Sequence, residues 1–226
     1  HMMAQEETPD RGGLFAPPLK TGWLCKWARL RPTTPHQIIG RHNSSIGSVA
    51  LGQIDGRAVV VSGSLDGVVH LWDAASGARL GQPLVGHEDA VTSVALGEVE
   101  GRAVVVSGSA DRTVRLWDAA SGSPIGGLPS SHGGGVTSVA LGEVDGRVVV
   151  VSGGGDWVVR LWDAASGAPI VAPLVGHYVE VTSVALGEVA GRDVVVSGGR
   201  DGTVRVWGAA SRALIGAPLR GHEDVV

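Results

Sequence analysis

The sequence predicts an all-β protein, a β-propeller of four-stranded antiparallel blades, and three observations carry that expectation. Trp72, Trp117, Trp162 and Trp207 stand 45 residues apart, and so do His42, His87, His132, His177 and His222. Whole phrases recur on the same beat: VTSVALGE at 91–98, 136–143 and 181–188, then VVVSG, then RLWDAASG. Each unit divides into four short strand-like segments parted by turn residues, with no helix. A period of 40 to 45 residues with four strands per unit is the pattern of a blade. Such a sheet is too small to stand alone and buries its faces by stacking on its neighbours.

Taken in order, His1-Met2 ahead of Met3 reads as a tag scar, and residues 1–13 as a polar, flexible N-terminus. A fainter echo follows at 14–41. Trp27 lies 45 residues before Trp72 and Gly22 lies 45 before Gly67, so 24–30 and 37–39 are expected to be the outer strands of a degenerate half-blade. Four full blades are expected at 42–86, 87–131, 132–176 and 177–221, and 222–226 reads as the start of another.

The unit 87–131 shows how each strand is read. Residues 91–96 alternate apolar with small polar side chains, the period of a strand. Glu100-Gly101 turns the chain, as do Asp55-Gly56, Asp145-Gly146 and Ala190-Gly191; such dipeptides supply the positive φ a short hairpin needs. The valine-rich run 103–107 fits a strand covered on both faces. Residues 109–112 turn, 113–117 form the third strand and 119–122 turn again. The fourth strand, around 125–129, contains proline and reads as an outer edge.

Composition narrows the class. The 226 residues carry 36 glycines and a net charge of −4, a turn-rich globular composition. No basic face offers a footprint for nucleic acid, and no apolar run has the length of a signal peptide or membrane span. Cys25 is the single cysteine, which points to a reducing, cytoplasmic compartment and to a packing role for its thiol. Basic residues are nearly all arginine, and with the heavy use of Ala, Gly and Val this points to a GC-rich bacterial gene.

The chain resembles the WD40-repeat family. Gly86-His87, Gly176-His177 and Gly221-His222 open units, and Trp72-Asp73, Trp117-Asp118 and Trp162-Asp163 close third strands. The marks depart at Arg41-His42, Ser131-His132 and Trp207-Gly208. The resemblance implies a buried Trp–Ser–His–Asp network in each blade. The sets are His42, Ser62, Asp66 and Trp72; His87, Ser107, Asp111 and Trp117; His132, Ser152, Asp156 and Trp162; and His177, Ser197, Asp201 and Trp207. It also implies a ring of about seven blades, of which four cover little more than half a turn. Three resolutions are open: a fragment of a longer protein, two chains closing one ring, or a strained small ring. A homodimer is the favoured one, with the C-terminal stub pairing on the partner's half-blade.

No catalytic, metal or cofactor site is expected. The recurring His and Asp residues fit the internal network, no GxSxG elbow occurs, and Gly153-Gly154-Gly155 lacks the Lys-Ser/Thr of a phosphate loop. The turns closing the first hairpin are almost constant between the copies, while two loops vary, the segment after each His and the turn around each network Asp. The resemblance places both on one rim. Trp157 and Tyr178 are the expected anchors for a protein or peptide partner, with Leu65, Glu88, Asp89, Arg112, Glu180 and Arg200 around them. The reading is a non-enzymatic scaffold. The competing readings are a small-ligand or glycan-binding propeller and an enzyme using the channel or an inter-chain cleft.

Overall fold

The computed structural model describes residues 39–128, 132–170 and 172–221. Apart from its last three residues, the half-blade expected at 14–41 lies outside the described residues, as do 1–13 and 222–226. The described residues form four antiparallel four-stranded sheets, each a meander in chain order. Blade 1 holds β1 (Ile46–Ile54), β2 (Arg57–Ser64), β3 (Val68–Asp73) and β4 (Arg79–Val85). Blade 2 holds β5 (Val91–Val99), β6 (Arg102–Ser109), β7 (Val114–Asp118) and β8 (Pro124–Gly127). Blade 3 holds β9 (Val136–Val144), β10 (Arg147–Gly154), β11 (Val158–Asp163) and β12 (Leu174–Val175). Blade 4 holds β13 (Val181–Val189), β14 (Arg192–Gly199), β15 (Thr203–Gly208) and β16 (Leu219–Arg220). The chain is a β-propeller in its architecture, as the repeat predicts.

The first hairpin of each blade is longer than the alternation alone indicates. Its turn has both central residues at positive φ, as at Glu100 (50°) and Gly101 (78°). That geometry matches the strand twist and carries the pairing to the turn itself, Val99 opposite Arg102. The outer strands are shorter, only two residues in β12 and β16. Edge strands with proline nearby lose ladder donors, so little pairing survives there.

Successive blades pack through their first strands, β1 on β5, β5 on β9 and β9 on β13. Between blades 1 and 2 the core is Val59, Val61, Val69, Leu71 and Leu84 against Val91, Val94, Val105 and Trp117. The same positions rebuild the core at the next two junctions. Most of these side chains are nearly free of solvent, so each junction removes large apolar area from water at about 25 cal/mol per Å².

Polar groups fix the junctions as well. A bulge between Val91 and Ser93 leaves Thr92 out of register, and its hydroxyl donates to the Gly108 carbonyl in its own blade and the Val136 carbonyl in the next. Thr137 donates likewise to the carbonyls of Gly153 and Val181. The hydroxyls of Ser48, Ser93 and Ser138 accept the backbone N–H of Val94, Val139 and Val184 at 3.1, 3.0 and 3.1 Å. The repeated TS of VTSVALGE is therefore the pair that stitches one blade to the next.

Candidate interaction rim

Two loops per blade meet at one end of the sheets. The loop after the network histidine bonds the turn between the second and third strands through the backbone: Leu65 N–H to Ser45, Ala110 to Ala90, Gly155 to Gly135 and Arg200 to Glu180, each at 2.9 Å. Neighbouring blades connect at the same level, the His132 N–H donating to the Arg112 carbonyl at 3.2 Å. The two loops of each blade thus share one rim, joined directly between blades 2 and 3.

Beneath the rim lies the network. In blade 2 the Trp117 indole N–H donates to Ser107 Oγ at 2.8 Å, and Ser107 Oγ stands 2.7 Å from His87 Nε2. His87 Nδ1 lies 2.9 Å from Asp111 Oδ2. The carboxylate can only accept, so Nδ1 carries the proton and Nε2 accepts from the serine hydroxyl. Blade 3 repeats this through Trp162, Ser152, His132 and Asp156 at 3.0, 2.8 and 2.7 Å. Blade 4 does so through Trp207, Ser197, His177 and Asp201 at 2.9, 2.8 and 3.0 Å.

Blade 1 departs from the expected set. Trp72 donates to Ser62 Oγ and His42 Nε2 meets the same oxygen, both at 2.7 Å. His42 Nδ1, however, is buried without a partner, and Asp66 instead accepts the backbone N–H of Val68 at 3.2 Å. Position 70 differs as well. The other blades carry Arg115, Arg160 and Arg205 there, and in two of them the arginine steadies the carboxylate: Arg160 meets Asp156 at 2.7 Å and Arg205 meets Asp201 at 3.8 Å. His70 there packs its ring edge-on against His42, with ring centres 4.4 Å apart.

Sequence reasoning also missed the hydroxyl that follows. Thr113 and Thr203 each donate a side-chain bond to their network aspartate at 2.6 Å. Their two-residue offset from each aspartate, at the same place in the repeat, was the available signal.

Electrostatics follow from burial. Removal from water pushes the His87, His132 and His177 imidazoles below their ordinary range, against the raising effect of Asp111, Asp156 and Asp201. Burial would raise the Asp111 carboxyl, but hydrogen bonds from Thr113, His87 and the Glu88 backbone outweigh it and hold it at about 2. Asp201 stands at about 2 for the same reasons. Ser107, Ser152 and Ser197 are 0% exposed, so their hydroxyls are occupied inside the blades and out of a substrate's reach. Among the described residues no group of three or more His, Cys, Asp or Glu could hold a metal ion.

The rim itself presents the variable side chains. Trp157 and Tyr178 are exposed, at 51% and 74%, and so is Leu65. The buried Arg205 guanidinium lies 5.6 Å from the Tyr178 ring centre, a cation–π contact. Glu180 and Arg200 pair at 2.8 Å beside it. Glu88, Asp89 and Arg112 are exposed, with the Glu88 N–H held by the Asp111 carboxylate at 3.0 Å.

The position after each network aspartate has a left-handed backbone in every blade. Blades 1 and 4 place Gly67 (φ 80°) and Gly202 (φ 68°) there, while blades 2 and 3 place Arg112 (φ 72°) and Trp157 (φ 70°). A branched or bulky side chain at such φ costs roughly 1 kcal/mol. Two large exposed side chains are thus kept where the fold is better served by glycine.

A family profile described as "WD domain, G-beta repeat" matches residues 33–73, 79–118, 122–163 and 169–208, well over half of the chain. The curated protein "WD repeat-containing protein 1-B" of Xenopus laevis is 35% identical over 57 residues, which are 25% of this chain and 9% of that relative. The chain therefore spans about a tenth of that relative's length. Among solved structures, the computationally designed Ika4 protein is 32% identical with a TM-score of 0.62, over 77% of this chain and 99% of Ika4. The designed Ika8 protein is 33% identical with a TM-score of 0.64, over 81% of this chain and 52% of Ika8.

Proposed function

The chain belongs to the WD40-repeat family, and from that premise we propose that it is a non-enzymatic scaffold binding a protein or peptide partner through the rim. WD40 propellers typically serve as protein-interaction scaffolds, so membership supports that class, and the binding surface rests on the site itself. The observation that carries it is the strained, exposed Trp157, set in a position where blades 1 and 4 use glycine. Backbone strain retained at an exposed aromatic supports a role outside the fold. Trp157 and Tyr178 are the anchors; the mixed charges of Glu88, Asp89, Arg112, Glu180 and Arg200 supply selectivity around them. The same reading has the arc closing its ring by self-association.

The test compares a Trp157→Gly/Tyr178→Ala variant with an Arg102→Ala variant, whose change lies at the opposite end of blade 2. Proteins captured by the wild-type chain are expected to be lost with the rim variant and kept with Arg102→Ala. The rim variant should stay within about 1 kcal/mol of the wild type, because the strain relieved by Trp157→Gly offsets the loss of the Tyr178 contact with Arg205. Identical captured sets for both variants would refute the rim.

A further inference from the structure

We propose that the two free faces of the arc meet between two copies of this chain, the first sheet of one copy seating on the last sheet of the other in the register of the internal junctions. This rests on the self-closure reading above and names its contacts.

Every internal junction uses the same parts. The first strand of the following blade supplies the projecting set, Val91, Val94 and Leu96 at the first junction. The preceding blade receives it on Val61, Val69 and Leu71 and on glycines that leave room for it. A Cβ at Gly52 would stand 2.8 Å from Leu96 Cδ2, and one at Gly142 would stand 3.1 Å from Leu186 Cδ1. The glycines are sockets for the leucines of the next blade.

At the start of the arc the projecting set meets no partner sheet among the described residues. Ile46 is 46% exposed where Val91, Val136 and Val181 are 0%, and Val49 is 65% exposed where Val94, Val139 and Val184 are 6 to 7%. Leu51, the counterpart of Leu96, is 41% exposed. At the end of the arc no described sheet stacks on the receiving face. Val196, Val204 and Val206 are only half-buried where Val61, Val69 and Leu71 are 0 to 2% exposed, and Leu219 is 60% exposed where Leu84 is 2%. A Cβ at Gly187 would meet nothing within 4 Å.

These two faces are the halves of a junction the chain already forms three times. The projecting set fits the receiving set and not a copy of itself, so the contact is heterologous and closes as a ring. Leu51 of one copy enters over Gly187 of the other, and Ser183 Oγ accepts the Val49 N–H, as Ser48 accepts that of Val94. Each copy contributes four sheets. An apolar face of this kind left open to water is an association site.

The experiment measures mass by light scattering and traps the contact covalently. The wild-type chain is expected at twice its 23.0 kDa. Leu51→Arg and Gly187→Trp block one face each and should each raise the dissociation constant by at least about 30-fold, the effect of losing one central anchor. Mixing the two variants should restore association, because one junction is then native on both sides; that recovery also shows that both variants fold. In a Cys25→Ser background, Leu51→Cys with Gly187→Cys should oxidise to a covalent two-chain species. At the internal counterpart the Cβ atoms would stand 3.6 Å apart, within disulfide range. A bond formed within one chain overturns the proposal in favour of single-chain closure. Loss of association with Leu51→Arg but not with Gly187→Trp overturns the junction while leaving self-association standing. A monomeric wild-type chain overturns both.

Discussion

Replacing Asp111 by alanine and, separately, Asp66 by alanine separates a complete blade network from an incomplete one. Asp111 accepts from His87 Nδ1 at 2.9 Å, from the Glu88 and Thr113 backbone N–H groups at 3.0 and 2.9 Å, and from the Thr113 hydroxyl at 2.6 Å. Its side chain is 8% exposed, so little water can replace the lost acceptor. Hydrogen bonds to a charged group each contribute about 1.5 to 3 kcal/mol, and those within one network do not add in full. The expected loss for Asp111→Ala is about 3 to 4 kcal/mol. Among the described residues Asp66 accepts one bond, from the Val68 N–H at 3.2 Å, so Asp66→Ala should cost under about 1 kcal/mol. At about 2 to 4 °C per kcal/mol for a unit of this size, Tm should fall by about 6 to 16 °C in the first case and by under about 4 °C in the second. Thermal unfolding followed by far-UV circular dichroism, with urea titration alongside, reads both. Equal losses at the two positions would refute the reasoning.

Two further outcomes are expected. Stability should fall on acidification in two windows of the same sign. His87, His132 and His177 are depressed from 6.5, so below about that pH the unfolded chain takes up protons that the folded chain resists. Asp111 and Asp201, depressed from 3.8 to about 2, contribute stability present above pH 3.8 and lost towards pH 2. A Tm that holds or rises between about pH 7 and about pH 3 contradicts this. Gly153→Ala would place a Cβ 2.6 Å from Val181 Cγ1 and should lower the unfolding free energy by about 1 to 3 kcal/mol in urea titration. A loss below about 0.5 kcal/mol would mean the junction between blades 3 and 4 is looser than described.

Much of this molecule was legible from residue spacing. The beat of Trp72, Trp117, Trp162 and Trp207 located the third strands, and Glu100-Gly101 and its counterparts located the hairpin turns, because both depend on local chain geometry. The network of blades 2 to 4 was legible as residue sets. Its departure in blade 1 was not, since all four residues of the set are present there and only their contacts differ. The strain at Arg112 and Trp157 was also hidden: only backbone φ shows that these residues share a left-handed position with Gly67 and Gly202.

By itself the sequence determined the period, the strands and the residues that recur in every blade, because a repeat must satisfy the same hydrogen bonds and bury the same valines in each copy. Tertiary structure decided which copies differ in consequence. Leu51 and Leu96 occupy the same place in the repeat, as do Gly187 and Gly142, yet Leu96 sits over Gly52 and Leu186 over Gly142 while Gly187 faces open space. Identical residues have different energies at the middle and the ends of the arc, because burial depends on what stacks against a sheet and not on the sheet's own sequence.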